Sequence, residues 1–304
     1  MPAADRTEQL VDIDGRRLRV TNLDKVLYPE TGFTKGEVID YYVRIAPTML
    51  PHIADRGLTL RRYPNGVDAP SFFEKRCPSH RPEWVGTFDG PGDKGGSIGY
   101  CALDSIAALA WSANLGALEL HAPMARGVDI EAPTMCVFDL DPGPGAGIPE
   151  CAEVALDIRS VLERLAGLKC VVKTSGSKGL QLYVPLNTPH SHEHCSAFAL
   201  AVAQVLEKHH PERVTSVMKK SARPGKVFID WSQNSRHKTT AAVYTLRARP
   251  RPTVSTPVTW DEIEAATSGS PLSFEAPEVL SRVESLGDLF TPAIGLKQSL
   301  PEPS

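Results

Sequence analysis

The feature that most constrains the fold of this chain is an apolar segment that ends in two closely spaced aspartates. Residues 135–138 (Met-Cys-Val-Phe) are apolar enough to form a buried β-strand, and Asp139-Leu-Asp141 follows directly. The Pro-Gly-Pro-Gly segment that comes next must end this strand. Because residues two apart in a strand point to the same face, we expect both carboxylates to project together at the strand end.

A pair of carboxylates held side by side indicates a cation site. Their mutual repulsion is costly unless a cation lies between them, and hard divalent ions prefer such oxygen ligands. A second apolar segment, residues 226–231 (Lys-Val-Phe-Ile-Asp-Trp), places Asp230 in a similar position. Three carboxylates on two strands are typical of the metal site of a phosphoryl-transfer enzyme. The alternative, that a strand-end aspartate only caps a turn, stays open for each residue taken alone.

The net charge of −3 conceals a strong asymmetry along the chain. Residues 213–251 contain ten Lys or Arg and one acidic residue, Asp230, whereas residues 252–304 contain eight acidic and two basic residues. A charged segment is usually only a solvated surface. Here the positive segment surrounds a candidate metal ligand, which favours a polyanionic, phosphate-containing substrate.

Length and composition are those of an ordinary globular protein of 304 residues. No apolar stretch approaches the roughly 20 residues needed to cross a bilayer, and the N-terminus lacks the apolar core of a signal peptide. We therefore expect a cytoplasmic protein without membrane contact. Of the six cysteines, Cys136 and Cys170 are predicted to be reduced core residues, and Cys77-Pro-Ser-His80 has the spacing of half a zinc site without a second half.

Apolar periodicity and turn signals predict strands and helices in an irregular alternation. Strands are expected at residues 10–20 (a hairpin that turns at Asp14-Gly15), 58–63, 118–121, 170–174, 180–184 and 227–231, and helices at 34–46, 105–115, 149–165 and 193–209. This order favours an α+β fold with a mixed or antiparallel sheet over a doubly wound parallel sheet. We predict a catalytic domain over residues 1–260, with parts at about 1–130 and 131–250, and a small acidic helical portion at 261–304.

A glycine-rich loop, Ser175-Gly-Ser-Lys-Gly179, lies between two of the predicted strands. Its glycines allow backbone amides to approach an anion, and Lys178 and the serine hydroxyls could bind phosphate oxygens. The loop is not a P-loop, because the GxxxxGK[ST] spacing is absent and a strand follows instead of a helix. Alone it is more typical of a Gly/Ser hairpin. Behind an acidic metal site it becomes a candidate triphosphate site, with further anion ligands available at Gln233, Lys238 and Arg247.

These motifs together resemble the polymerase domain of bacterial DNA ligase D, a member of the archaeo-eukaryotic primase superfamily. The main matching segments are Phe138-Asp-Leu-Asp-Pro-Gly143, Thr174-Ser-Gly-Ser-Lys-Gly179 and Lys226-Val-Phe-Ile-Asp-Trp-Ser-Gln-Asn234. Further matches are Asn22-Leu-Asp-Lys-Val-Leu-Tyr-Pro29, Arg62-Tyr-Pro-Asn-Gly66, Phe72-Phe-Glu-Lys75, Leu118-Glu-Leu-His121 and Lys238-Thr-Thr with Tyr244-Thr-Leu-Arg247. The resemblance runs from about residue 20 to 290 in consistent order.

The resemblance implies a primase-like catalytic core that adds ribo- or deoxynucleoside triphosphates to a primer 3′-hydroxyl at short gaps or DNA ends. It implies two Mn²⁺ or Mg²⁺ ions held by Asp139, Asp141 and Asp230. Contacts to the incoming nucleotide are implied for His121, Ser175, Lys178, Gln181, Gln233 and Arg247. Contacts to DNA are implied for Lys25 and Lys35, at the downstream 5′-phosphate of a gap, and for Phe72 and Phe73, which would stack on a base. From composition alone, Phe72, Phe73 and His121 are instead predicted to be core residues, and the two lysines to be solvated.

One position departs from the family pattern. Where the family has histidine in a Lys-Gly-Leu-His-Leu-Tyr segment, this chain has Gln181, which keeps a donor and an acceptor but cannot carry a charge near neutral pH. Nucleotide affinity or rate could therefore differ from those of other members. No Lys-x-Asp-Gly ligase motif is found, so we expect a stand-alone polymerase at the nucleoid, with a separate DNA ligase and an end-binding protein as possible partners.

Two other functions compete with the polymerase hypothesis. The hydrophobic-Asp-x-Asp pattern also opens the active site of haloacid dehalogenase-type phosphatases, but these need a late acidic pair, and residues 213–251 offer only Asp230. A non-catalytic DNA-end-binding module that recruits a ligase is the third hypothesis, for which Gln181 leaves room. The presence of all three aspartates argues against it.

Overall fold

The computed structural model describes residues 7–92 and 95–302. The strands in these ranges are β1 (Glu8–Ile13), β2 (Arg16–Thr21), β3 (Val26–Tyr28), β4 (Phe33–Thr34), β5 (Thr59–Arg62), β6 (Phe72–Glu74), β7 (Gly86–Pro91), β8 (Ser97–Ala102), β9 (Ala117–Pro123), β10 (Ala125–Arg126), β11 (Asp129–Pro133), β12 (Met135–Pro142), β13 (Val171–Thr174), β14 (Leu180–Pro185), β15 (Val214–Thr215), β16 (Val227–Asp230) and β17 (Thr239–Ala241). The α-helices are α1 (Lys35–Ile53), α2 (Ile106–Asn114), α3 (Ile148–Ala166), α4 (His192–His209), α5 (Trp260–Thr267), α6 (Ala276–Leu286) and α7 (Pro292–Gly295). The N-terminal residues 1–6, which the targeting prediction used, lie outside the described ranges.

The larger sheet has five strands in the order β13-β14-β12-β16-β15, antiparallel except for the parallel pair β15 and β16. Side chains alternate along each strand, so one face is apolar and the other polar. Phe138, Leu182 and Ile229 lie on the apolar face, in a hydrophobic core that residues of α3 and α4 complete. The opposite face carries Asp139 and Asp141. The strands predicted around both acidic segments are therefore confirmed.

The second sheet has four antiparallel strands in the order β17-β9-β5-β6. Leu60, Leu118 and Leu120 pack from β5 and β9 into a separate core that is filled by α1 and α2. The alternating residues Glu119 and His121 consequently lie on the face turned away from these helices. Each sheet thus has one face covered by two helices and one face left for polar side chains.

Local sequence signals explain where several elements begin. Thr34 caps α1 as the capping-box pattern predicts, with its Oγ1 accepting from the amide of Glu37 (3.3 Å) and the Glu37 carboxylate accepting from the amide of Thr34 (2.7 Å). The predicted hairpin is formed by β1 and β2, and its turn residues Asp14 and Gly15 both have positive φ. The predicted helices at 105–115, 149–165 and 193–209 correspond to α2, α3 and α4.

The two sheets meet along β17. The ammonium of Lys173 in β13 donates to the carbonyl of Ala241 in β17 (3.0 Å), and the hydroxyl of Tyr183 in β14 donates to Thr240 Oγ1 (3.0 Å). The polar faces of both sheets therefore border a common region. The architecture confirms the predicted α+β fold with mixed and antiparallel sheets.

The C-terminal helices pack against both cores. Ile263 and Ala266 of α5 join the core beside α3, whereas Val279 of α6 and Ala293 of α7 join the core beside α1. The division into a domain at 1–260 and a portion at 261–304 stays a prediction.

The cysteines form one disulfide, between Cys77 and Cys101, which the sequence spacing did not indicate. Because Cys77 is bonded in this way, its thiolate is not available for a zinc site with His80. Cys136 is free and buried, as predicted, and Cys170 is free but only half-buried.

Candidate nucleotide and metal site

The three predicted aspartates lie on the polar face of the five-stranded sheet. Asp139 and Asp141 occupy the end of β12, and the antiparallel pairing with β16 places Asp230 directly opposite Asp139. Directly opposed residues in such a pair have their Cβ atoms within about 5.5 Å. The three side chains therefore project from one face of the sheet, as the strand argument predicted for Asp139 and Asp141.

The electrostatics of this site favour a bound cation. Burial and the neighbouring Asp141 raise the pKa of Asp139 to about 7, although an amide hydrogen bond from Gln181 opposes the shift. Burial and the charge of Asp230 also raise the pKa of Asp141, against the lowering effect of Arg223 and Lys238. A divalent cation would remove this repulsion and return both groups to the charged state.

Asp230 is held by side chains that follow it in a short 3₁₀-helix, residues Trp231–Asn234. One carboxylate oxygen accepts from the amide and the hydroxyl of Ser232 (3.0 and 2.5 Å), and the other accepts from the Gln233 amide (3.2 Å). Lys238 donates to the Ser232 hydroxyl (2.6 Å) and lies 3.7 Å from Asp230. Gln233, which is predicted to contact a nucleotide, therefore contacts a predicted metal ligand in this structure.

Among the described residues, no group of three or more His, Cys, Asp or Glu side chains is arranged closely enough to form a metal-binding cluster. The donor set nevertheless suits Mn²⁺ or Mg²⁺, because it consists of carboxylate oxygens whose charges repel one another in the protein alone. The two-metal site at Asp139, Asp141 and Asp230 stays a prediction.

Gln181 lies directly opposite Asp139 on the other side of β12, and its amide donates to Asp139 Oδ1 (3.0 Å). Its carbonyl oxygen accepts from the buried ammonium of Lys173 (2.5 Å) and from the Tyr183 hydroxyl (3.1 Å). The residue that departs from the family pattern therefore contacts a predicted metal ligand. Its predicted contact with a nucleotide stays untested.

The glycine-rich loop forms a tight turn between β13 and β14. Ser175 closes it, because its hydroxyl accepts from the amides of Ser177 (3.2 Å) and Gly179 (3.1 Å). A side chain at Gly179 would overlap the carbonyl of Leu140, since a Cβ there would lie 1.9 Å from that oxygen. The loop consequently packs against the segment that carries the two aspartates, and Lys178 at its tip is exposed.

A set of charged side chains occupies the polar face of the second sheet. Buried Glu119 accepts from the ring of His121 (2.9 Å) and from the Ala248 amide (3.0 Å), and it lies 3.4 Å from Arg247 Nε. Arg247 also donates to the carbonyl of Ser175 in the glycine-rich loop. His121, whose side chain is 13% exposed, is therefore a largely buried histidine with a satisfied hydrogen bond, as composition predicts. The structure brings His121, Arg247 and the loop together, and their predicted contacts with a nucleotide stay untested.

The sequence reasoning missed two of these residues, Glu119 and Lys173. Both are buried charged side chains in strands that are rich in apolar residues. An acidic or basic residue that alternates with apolar residues in a buried strand must have a polar partner, and this was the available signal. Its partners depend on the strand register, which the sequence alone does not supply.

Phe72 and Phe73 lie on the edge strand β6 and are exposed by 46% and 56%, so the composition-based core prediction for them is wrong. Arg62 stacks over Phe72 (5.2 Å to the ring centroid), and Arg61 stacks over Phe73 (5.1 Å). The ring of Phe73 also meets that of His121 edge-on at 5.6 Å. Two exposed aromatic rings therefore border the charged face.

Lys25, which precedes β3, and Lys35, the first residue of α1, lie side by side on elements that do not carry the aspartates. The amide of Lys35 donates to the carbonyl of Lys25 (2.8 Å). Lys25 is half-buried and donates to Asn65 Oδ1 (2.8 Å), whereas the ammonium of Lys35 is buried and donates to Thr21 (2.7 Å to the carbonyl). The solvated position that composition predicts for Lys35 is therefore wrong.

No helix of the described part of the chain is both long and apolar enough to cross a membrane.

Comparison with known proteins identifies the relatives of this fold. The model of the family "LigD, primase-polymerase domain" matches residues 34–290. The chain is 48% identical, over 280 residues, to the multifunctional non-homologous end joining protein LigD of Mycolicibacterium smegmatis, a match that covers 91% of this chain and 36% of that protein. It is 46% identical, over 282 residues, to the LigD DNA repair protein of Mycobacterium tuberculosis H37Rv, covering 90% of this chain and 36% of that protein. The chain thus spans a minor part of the length of these relatives.

A solved structure gives the same result. The polymerase domain from Mycobacterium tuberculosis ligase D in complex with DNA superposes with a TM-score of 0.86 at 43% identity, and the match covers 93% of this chain and 99% of that one. Fold and sequence together define the class as that of primase-polymerase domains. Within that class, the chain belongs to the LigD primase-polymerase domain family. The resemblance stated from the motifs is confirmed, and no comparison supports the phosphatase alternative.

Proposed function

We propose that this chain is a template-directed nucleotidyltransferase that adds ribo- or deoxynucleotides to a primer 3′-hydroxyl at short gaps or DNA ends. The observation that carries the proposal is the juxtaposition of Asp139 and Asp230 across β12 and β16, with Asp141 on the same face. Three carboxylates that repel one another would be stabilised by divalent cations. The basic side chains beside them, Arg247 and Lys178, suit a triphosphate. The relatives named for non-homologous end joining support a role in the repair of DNA ends at the nucleoid.

The reaction is an in-line displacement in which the 3′-hydroxyl oxygen bonds to the α-phosphorus and pyrophosphate leaves. Mn²⁺ or Mg²⁺ held by Asp139, Asp141 and Asp230 would act as a Lewis acid that neutralises charge on the phosphates. Arg247 and Lys178 would bind the triphosphate oxygens, and the amides of the glycine-rich loop would approach them closely.

Additional ligands would orient the nucleotide. His121, whose ring Glu119 fixes by a hydrogen bond, would contact the incoming nucleotide. Ser175, Gln181 and Gln233 would complete the nucleotide contacts that the family resemblance implies.

DNA would bind beside this site. Lys25, which precedes β3 and lies beside the start of α1, would meet the downstream 5′-phosphate of a gap, where the helix N-terminus would add a favourable dipole. Lys35 would strengthen the same positive field from its buried position. Phe72 and Phe73 expose aromatic rings on which a base could stack. The similar solved domain, which is in complex with DNA, supports this proposal. A DNA ligase and an end-binding protein are the partners that this role would need.

A primer-extension assay tests the proposal. A gapped duplex with a 5′-phosphate is incubated with Mn²⁺ and either ribo- or deoxynucleotides, and the products are resolved by length. We expect Asp139→Asn and Asp230→Asn to lower extension by about 1000-fold, which corresponds to the several kcal/mol that metal ions supply to such a transition state. Asp261→Asn, at an exposed position in the first turn of α5, should extend like the wild-type protein.

The same assay separates the polymerase from a non-catalytic DNA-end-binding module. A module that only recruits a ligase would bind the gapped duplex but would not extend it, with or without Mn²⁺. Undiminished extension by either active-site variant would exclude the assigned metal ligands. Both variants keep the size of the side chain and relieve charge repulsion, so a loss of activity would not reflect unfolding.

A further inference from the structure

A row of four polar residues crosses the five-stranded sheet in register. Lys173 of β13 lies opposite Gln181 of β14, which lies opposite Asp139 of β12, which in turn lies opposite Asp230 of β16. Residues paired in this way project from the same face of a sheet. The row therefore leads from a buried cation, through an amide, to two predicted metal ligands.

The hydrogen bonds along this row have a fixed direction. Lys173 Nζ donates to Gln181 Oε1 (2.5 Å), and Gln181 Nε2 donates to Asp139 Oδ1 (3.0 Å). When Lys173 is an ammonium, which can only donate, and Asp139 is a carboxylate, which can only accept, the amide keeps its oxygen toward Lys173 and its nitrogen toward Asp139. Among the described residues no hydrogen bond reaches the other oxygen of Asp139, which leaves it for a cation.

Lys173 itself has no donor left for a substrate. Its ammonium also donates to the carbonyl of Ala241 (3.0 Å) and to the hydroxyl of Ser255 (2.6 Å), so its three protons have three acceptors. The side chain is only 1% exposed. A buried lysine that is saturated in this way can orient its partners but does not reach a nucleotide.

We propose that Lys173 and Gln181 are positioning residues that hold Asp139 in the orientation that binds the divalent cation. This inference rests on the proposed function and goes beyond it, because it assigns to two further residues control over metal affinity. Partners that orient a metal ligand commonly change metal affinity by about 10- to 100-fold when they are lost. In this chain a glutamine, rather than the histidine of the family, provides the link.

We call the hydrogen-bonded series Lys173, Gln181 and Asp139 the relay. Direct measurement of Mn²⁺ binding tests its role without relying on catalysis. The full chain is titrated with Mn²⁺ in the absence of DNA and nucleotide, and free Mn²⁺ is followed by electron paramagnetic resonance. Gln181→Met keeps the length of the side chain but removes the donor and the acceptor, and we expect at least about 10-fold weaker Mn²⁺ binding. Gln181→His restores a donor and an acceptor and should bind Mn²⁺ within about threefold of the wild-type protein.

The matched control is Tyr183→Phe. It removes the other hydrogen bond to Gln181 Oε1 (3.1 Å) but leaves the contacts to Lys173 and Asp139 in place, so Mn²⁺ affinity should change by less than about twofold. Thermal unfolding of each variant shows whether it is folded. If Gln181→Met does not fold, Gln181→Asn replaces it, because its amide is one methylene too short to reach both partners.

The outcomes distinguish the relay from the proposed function. If the wild-type protein binds no Mn²⁺, both are overturned. If the wild-type protein binds Mn²⁺ and Gln181→Met binds it equally well, only the relay is overturned. The relay also fails if Gln181→His is as weak as Gln181→Met, or if Tyr183→Phe weakens binding equally, because either result indicates a general packing effect.

Discussion

Replacement of Glu119 by glutamine tests how much the buried carboxylate on the polar face of the second sheet contributes to the free energy of unfolding. The Glu119 side chain is 2% exposed, and its two oxygens face His121 (2.9 Å), the Ala248 amide (3.0 Å), Arg247 (3.4 Å) and Arg61 (3.6 Å). Glutamine has nearly the same shape but lacks the negative charge. The substitution therefore leaves the packing in place while removing the charge that balances two arginines.

The structure gives a magnitude for this change. Burial alone would raise the pKa of Glu119, but the hydrogen bond from His121 and the charge of Arg247 lower it from 4.5 to about 2. Such a lowering corresponds to about 3 kcal/mol of folding free energy at neutral pH. Because the pKa is lower in the folded protein, this contribution is complete above about pH 4.5 and is lost as the pH falls toward 2.

Urea denaturation of the wild-type protein and of Glu119→Gln at pH 7 and at pH 3 measures the effect. At pH 7 we expect the free energy of unfolding of the variant to be about 3 kcal/mol lower than that of the wild-type protein. At pH 3 we expect this difference to be smaller. Glu131→Gln, at a side chain that is 66% exposed in a pair with Arg236, should stay within about 0.5 kcal/mol of the wild-type protein at both pH values. A difference below about 1 kcal/mol at pH 7, or one that does not change with pH, would refute the reasoning.

Three further predictions concern DNA binding and the glycine-rich loop. Lys25→Ala should weaken binding to a gapped duplex only when the gap carries a 5′-phosphate, as measured by fluorescence anisotropy. Lys35→Ala should weaken this binding and also lower the melting temperature, because the Lys35 ammonium is buried. Equal melting temperatures of the two variants would contradict this distinction. Phe73→Ala should weaken binding of a single-stranded template overhang by about 1–3 kcal/mol without lowering stability, because the ring is 56% exposed; unchanged affinity would exclude base stacking. Gly179→Ala should be strongly destabilised in thermal unfolding, because the added methyl overlaps a carbonyl of β12, whereas Gly295→Ala, which meets nothing within 4 Å, should not be; similar melting temperatures would contradict the close approach of the loop to β12.

The elements and the aspartates could be predicted from the sequence because their signals are local. Alternation in residues 135–141 fixes which face Asp139 and Asp141 share, and the capping box at Thr34 fixes where α1 begins. The pairing of β12 with β16, and the register that puts Asp230 directly opposite Asp139, did not follow from these local signals, because both depend on the rest of the sheet.

Properties that depend on distant parts of the chain could not be predicted. The burial of Lys35 depends on Thr21, and the pairing of Cys77 with Cys101 depends on how β8 returns beside the segment after β6. Phe73 is apolar and would be assigned to the core by composition, but it lies on an edge strand that no further strand covers among the described residues. In each case tertiary register, rather than local preference, decides the environment.

The distribution of charge between the two sheets explains how the site stays open for a ligand. Three carboxylates on one sheet would attract the nearest arginine and close the site, since opposite charges a few ångströms apart attract strongly in a partly buried environment. Glu119 prevents this for Arg247, because it holds the guanidinium on the second sheet while Arg247 also binds the glycine-rich loop. Lys238 already forms an ion pair with Asp230 at 3.7 Å and donates to the Ser232 hydroxyl, yet the pKa of Asp141 stays raised, so Lys238 offsets only part of the acidic charge. Arg247 is thus held by its own partners, and the proposed divalent cation and triphosphate would satisfy the acidic and the basic groups together.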